Sequence, residues 1–213
     1  MKWTMDSSNW NAYIPGMVIV LILTLMFTGP VLAGDSTVVG IFYYSVSGHT
    51  RDMAEAVKRG AEAEGARVIL KTVEEATSAD LLRSDAVIIG SPVYNANIHP
   101  AVLSFMNRWP FVGSPMRDKV GAAFVTAGGI SAGEELVQMN ILQSMLVFGM
   151  IVVGGADWQG AFGASAITDE GIPAESKNTL QPHYLQKAVG LGQRVARLVR
   201  KMKQCDRDIT KSH

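Results

Sequence analysis

Six residues concentrate the polar chemistry of the N-terminal half: Ser45-Val46-Ser47-Gly48-His49-Thr50. They stand between an apolar run, Val38-Val39-Gly40-Ile41-Phe42-Tyr43-Tyr44, and an amphipathic run that opens at Arg51. The first reads as a strand buried on both faces of a parallel sheet. The second places Met53, Ala54 and Val57 on one face and Arg51, Asp52, Glu55 and Lys58 around the other, which is a helix. A strand, a polar turn and a helix in that order aim free backbone N–H groups and the positive end of a helix dipole at one point, where an oxyanion belongs. No lysine is present to make this a P-loop, and Gly48 stands alone, so it is not a G-x-G-x-x-G turn. What remains is a monophosphate held by the hydroxyls of Ser45, Ser47 and Thr50 and by amides. The plainer alternative is an ordinary Ser/Thr helix cap, which rarely gathers three hydroxyls around a glycine.

The elements needed to position such a loop follow in alternation. Ala66–Lys71 reads as a second strand and Asp85–Gly90 as a third, with a short helix containing Ala79–Leu82 between them. A helix at Ala101–Arg108 opens behind Pro100. Val120–Thr126 is a fourth strand, Glu134–Phe148 a helix, and Met150–Val153 the start of a fifth strand. A last helix runs from about Pro182 to Lys203, with Leu185, Leu191, Val195 and Val199 on its buried side. Alternating strand and helix predict an α/β domain, a doubly wound parallel sheet covered on both faces. Ligands in such sheets sit beyond the carboxyl ends of the strands, so the loops after strands one, three and four should share one site.

Both later loops have unusual compositions. In Ser91-Pro92-Val93-Tyr94-Asn95-Ala96-Asn97-Ile98-His99-Pro100, Tyr94 offers an aromatic plane and Pro92 stiffens the turn. Asn95 and Asn97 can donate and accept at a ligand's polar edge, and His99 is placed to cap the helix behind Pro100. In Thr126-Ala127-Gly128-Gly129-Ile130-Ser131-Ala132-Gly133-Glu134, three glycines permit close approach of backbone to a ligand.

Composition narrows the function class. Lys+Arg and Asp+Glu are both 19, and removing Lys2 and Asp6 with the first 33 residues leaves 18 of each. No charge excess points to nucleic acid. Cys205 is the single cysteine and the four histidines are scattered, so neither a disulfide framework nor a zinc site is expected. Residues 14–33, Ile14 to Ala33, carry no charge and end in Gly29-Pro30-Val31-Leu32-Ala33. Two readings stay open for residues 1–33: a signal peptide cleaved before Gly34, giving an exported protein, or an uncleaved membrane anchor.

The run Ile41-Phe42-Tyr43-x-Ser45-x-x-Gly48-x-Thr50-x-x-x-Ala54-x-x-Val57 resembles the FMN-phosphate signature of flavodoxin-like proteins. The loop from Ser91 resembles the one that packs on the flavin ring in multimeric flavodoxins and FMN-dependent reductases. The glycine-rich loop and Gly160–Ser165 look like those of the tryptophan-repressor-binding-protein family of NAD(P)H:quinone oxidoreductases. The resemblance covers about residues 38–200. It implies a flavodoxin-like five-stranded sheet of order 2-1-3-4-5 over residues 37–204, preceded by a hydrophobic N-terminal helix. It implies FMN as cofactor, bound by Ser45–Thr50, Pro92–Asn95, Asn97 and Thr126–Ser131, with NAD(P)H as electron donor and a quinone or similar acceptor. It also implies a homo-oligomer, and an acceptor pocket to which Trp109 or Phe111 corresponds approximately. Phe148 stands where that family usually has a histidine. The flavin would carry the chemistry, with no catalytic side chain and no metal. Two other classes remain at this stage: a flavodoxin-type electron carrier for membrane or periplasmic partners, and a flavin-free interaction module.

Overall fold

A computed structural model describes residues 36–173, 176 and 178–211. Residues 1–33, with their reading as export signal or anchor, lie outside the described residues, as does any helix formed by residues 14–33. Among the described residues no helix is long and apolar enough to cross a membrane.

Residues from Ser36 onward form one compact unit. Its centre is strand β1 (Val38–Tyr43), buried at all six positions. β1 pairs in parallel with β2 (Arg67–Thr72) on one side and with β3 (Ala86–Tyr94) on the other. Beyond β3 a short β4 (Asn97–Ile98) turns back as a hairpin, and β5 (Val120–Ala127) continues the parallel sheet. The fifth lane holds two short strands, β6 (Ile151–Val152) beside Val120–Gly121 and β7 (Ala164–Ile167) beside Phe124–Ala127. The expected order 2-1-3-4-5 is present, with its last strand in two pieces.

The interruption has a local cause. Residues 153–163 leave the sheet and fold back on themselves around the 3₁₀ turn Trp158–Gly160, with Gly155 N donating to Gly160 O at 2.6 Å. A Cβ on Gly154 would overlap the Ala161 carbonyl, and one on Gly163 the Ala123 carbonyl, so glycine is required where the chain leaves and re-enters. The strand signal in Gly160–Ser165 was hidden by these glycines.

Each face of the sheet has its own core. On one face Ile41, Met53, Val57, Leu191 and Val195 pack between α1 (His49–Ala63) and α5 (Pro182–Lys211). Phe42, Ile89, Val125, Phe105, Ile141 and Met145 fill the other, beneath α2 (Ser78–Arg83), α3 (Pro100–Met106) and α4 (Glu134–Val147). Fully burying each of the large side chains stabilises the fold by roughly 1.5–3 kcal/mol. α5 runs eight residues past the expected end at Lys203, because its last two turns need no apolar stripe once the packed part of the helix is formed.

Two carboxylates fasten helices to this frame. Glu64 accepts from Arg197 at 2.6 Å and Arg200 at 2.9 Å, and these bonds hold its carboxyl down to about 2. Burial acts to raise the Asp80 carboxyl, but hydrogen bonds from Thr77, Lys71 and Arg83 outweigh it and hold Asp80 well below the usual carboxylate range. Both folded values lie below the unfolded ones, so this stabilisation is present above about pH 4 and is lost as pH falls through the folded values. The urea midpoint should therefore be flat from about pH 7 to 5 and drop below about pH 4. Asp80→Asn should lower the neutral plateau and reduce that acid slope.

Candidate active site

Parallel register brings the three loops to one edge. Tyr43 pairs with Gly90 and Pro92 with Thr126, so β1, β3 and β5 end side by side. The loop after β1 is shaped by Ser45, whose Oγ accepts from Gly48 N at 3.2 Å and Arg51 N at 3.3 Å. Gly48 caps α1 in the left-handed region at φ 98° without a side-chain cap bond. Among the described residues the amides of Val46, Ser47, His49 and Thr50 donate to no protein acceptor. They form an open set of donors at a helix N-terminus. Thr50 is buried, and its hydroxyl bonds that of Thr126 at 2.8 Å, tying this loop to the end of β5. The Ser45 and Thr50 hydroxyls thus have structural partners, whereas the exposed Ser47 hydroxyl has none among the described residues.

The loop after β3 is a two-residue hairpin. Tyr94 pairs with Asn97, and Asn95 and Ala96 both take positive φ, 52° and 59°. Such a turn matches the sheet's twist but suits glycine or asparagine, and Ala96 is held there against its preference. The buried Ser91 hydroxyl closes the loop by accepting from His99 N at 3.0 Å. His99 does cap α3, its Nδ1 accepting from Ala101 N at 3.2 Å. Its ring also stacks on Tyr44 at 4.0 Å and meets the edge of Tyr94 at 5.2 Å. Burial pushes the His99 pKa down, with Glu74 opposing, so the ring is neutral at pH 7 and presents Nε2–H. Tyr94 is half exposed, leaving a ring face for a ligand.

The glycine-rich loop after β5 touches the hairpin, since a Cβ on Gly133 would lie 2.9 Å from the Ala96 Cα. It is also strapped from beyond β7. Asp169 N and Glu170 N both donate to Gly128 O, at 3.1 and 2.8 Å, and the Glu170 carboxylate accepts from Ile130 N at 2.7 Å. Sequence reasoning missed the bonds that residues 169 and 170 make to this loop and the Tyr44–His99 stack. The position of residues 168–170 directly after the last strand was the available signal.

The structure does not bring Trp109, Phe111 and Phe148 to these loops. α3 and α4 start at the carboxyl edge and run back, so residues just ahead of β5 and β6 lie at the opposite edge. Asp118 N donates to Gly149 O there at 3.0 Å. Trp109 is buried against Phe105 and Phe148, and the exposed Phe111 packs edge-on to Phe148.

The donors present fit a flavin mononucleotide. Unpartnered amides and the Ser47 hydroxyl suit its phosphate. Tyr94 supplies a plane for its ring. Among the described residues the buried His49 Nδ1 has no hydrogen-bond partner, a polar atom that a bound oxyanion or water would satisfy.

The family described as NADPH-dependent FMN reductase matches residues 38–164. The chain belongs to that family. The match takes in all three loops and ends at the first residue of β7. Similar proteins include an NAD(P)H dehydrogenase (quinone) of Azorhizobium caulinodans, 35% identical over a 138-residue alignment that covers 54% of this chain and 68% of that one. A flavodoxin of Aquifex aeolicus is 33% identical over a 126-residue alignment that covers 56% of this chain and 66% of that one. Among solved structures, a WrbA-like flavodoxin from Agrobacterium tumefaciens superposes with a TM-score of 0.63 at 23% identity, covering 78% of this chain and 99% of that one. That likeness shows the flavodoxin-like fold.

Proposed function

We propose that the protein is an FMN-dependent NAD(P)H oxidoreductase delivering two electrons to a quinone-type acceptor. The observation that carries this reading is the convergence of an amide-lined hydroxyl loop, an aromatic hairpin and a glycine-rich loop on one edge of the sheet. FMN, when bound, takes reducing equivalents from the nicotinamide and passes them on. The residues of this chain bind and orient it. The amides of Val46, Ser47, His49 and Thr50 would hold the phosphate, with Ser47 as the free hydroxyl. Pro92–Asn95 and Asn97 flank the ring, and Thr126–Ser131 line the chain and pyrimidine end. Neutral His99 fixes Tyr44 and Tyr94 and offers an Nε2–H donor.

The apolar surface at the other edge supports a homo-oligomer. Phe111, Val112, Leu146 and Val147 are exposed there, and α4 is apolar around much of its circumference. A helix of that kind is normally covered. A second copy would bury these side chains. Val112→Asp should shift the mass measured by light scattering toward the monomer.

Export or membrane anchoring rests on residues 14–33 alone, and sequencing the native N-terminus decides between them. A carrier role is favoured only by the likeness to the Aquifex flavodoxin, and the balanced charge lacks the acidic surface such carriers use to dock. The test is an absorbance spectrum of the purified protein with FMN, followed by NADH or NADPH and a soluble quinone. Flavin bands that bleach with the nicotinamide and return with quinone over many turnovers support the enzyme. Bound flavin without turnover supports the carrier, and a colourless protein that ignores FMN defeats both.

A further inference from the structure

We infer that Glu170 is a positioning residue for the flavin: its hydrogen bond shapes the glycine-rich loop, and its charge makes the site discriminate against the reduced cofactor. The inference rests on reading Thr126–Ser131 as the flavin loop. Glu170 lies 40 residues from Ile130 in sequence, yet its Oε2 accepts the Ile130 N–H at 2.7 Å. Two further bonds, from the amides of Asp169 and Glu170 to Gly128 O, seat the carboxylate. The glycines make room for it. A Cβ on Gly129 would stand 2.7 Å from that same oxygen, and one on Gly128 would stand 3.3 Å from Asp169 Oδ2.

A loop with adjacent glycines has many accessible backbone conformations, and a flavin selects only a few. The Glu170 bond holds one of them before the ligand arrives, which lowers the ordering cost of binding. The ionised group is a strong acceptor, but a neutral amide oxygen can take the same N–H. The charge acts separately. Two electrons and one proton entering the ring add one negative charge, and a carboxylate bonded to the loop beside the ring opposes it. No lysine or arginine lies in residues 126–134 or 168–171 to offset this. Glu170 therefore weakens binding of reduced FMN relative to oxidised FMN.

Wild type, Glu170→Ala and Glu170→Gln are compared as full chains. Amide exchange at Ile130 is measured without FMN, and affinities are then measured for oxidised FMN and for dithionite-reduced FMN. Glu170 is exposed, so both variants should fold, and far-ultraviolet circular dichroism checks this. Glu170→Ala should exchange Ile130 faster and bind oxidised FMN about tenfold more weakly, and Glu170→Gln should restore both to within about twofold. In both variants the preference for reduced over oxidised FMN should rise by about fivefold. Equal exchange in all three proteins overturns the strap. An unchanged preference in Glu170→Gln overturns the charge effect. Failure of wild type to bind FMN overturns the flavin reading itself, and the exchange at Ile130 still decides the strap.

Discussion

Gly48→Val is expected to weaken FMN binding by at least about tenfold and to cost about 1–2 kcal/mol of stability. Gly48 caps α1 at φ 98°, where a β-branched residue is strained. Its Cβ would also come within 3.2 Å of the Arg51 guanidinium. The side chain of Arg51 can move aside, but the backbone angle cannot be kept without strain. Relaxation would turn the peptide planes on either side of residue 48, and with them the Gly48 N–H that bonds Ser45 Oγ and the His49 N–H of the phosphate cradle. Fluorescence titration of the apoprotein with FMN measures the affinity, and urea unfolding measures the stability. Unchanged affinity would show that the phosphate lies elsewhere. Gly65→Asn is a suitable comparison, because it has φ +79° with open space around it and asparagine tolerates that region.

The largest loss of stability is expected from Gly192→Val, about 3 kcal/mol or more. α1 and α5 approach so closely that backbone of one meets backbone of the other. A Cβ on Gly192 would be driven into the Val57 carbonyl, and one on Gly60 into the Val189 carbonyl. No rotamer relieves a clash with a carbonyl inside a helix, so the helices must separate and unpack Leu191 and Val195 from Val57 and Ala61. A large drop in the urea midpoint with an unchanged slope checks this. A shift as small as that of Gly65→Asn would refute the close-packing account.

Several parts of this architecture were legible because they depend on local chemistry. The run Val38–Tyr44 is apolar without alternation, which only a strand buried on both faces requires. Three hydroxyls and a glycine directly after it mark a polar strand-to-helix turn, in which Ser45 and Thr50 hold the loop and Ser47 is left for a ligand. The alternation of strands and helices then dictates a parallel sheet, and the sheet dictates which loops share an edge. The same rule also places Phe148 far from that edge, since it ends the helix that leads into β6. A likeness to relatives drew it toward the acceptor pocket, where this chain's own path cannot take it.

Residue types and spacing thus determined the fold class and the three loops that share one edge, because helix, strand and turn preferences act over a few residues. Tertiary structure alone decided that the fifth strand breaks around residues 153–163, where glycines let one loop backbone pack on another. It alone placed Ala96 in a left-handed turn for which alanine carries no signal. It alone joined Thr50 to Thr126 and Glu170 to Ile130. Those bonds link residues 76 and 40 positions apart. Contacts of that length exist only after the sheet has brought its strand ends together, so nothing in the local pattern announces them.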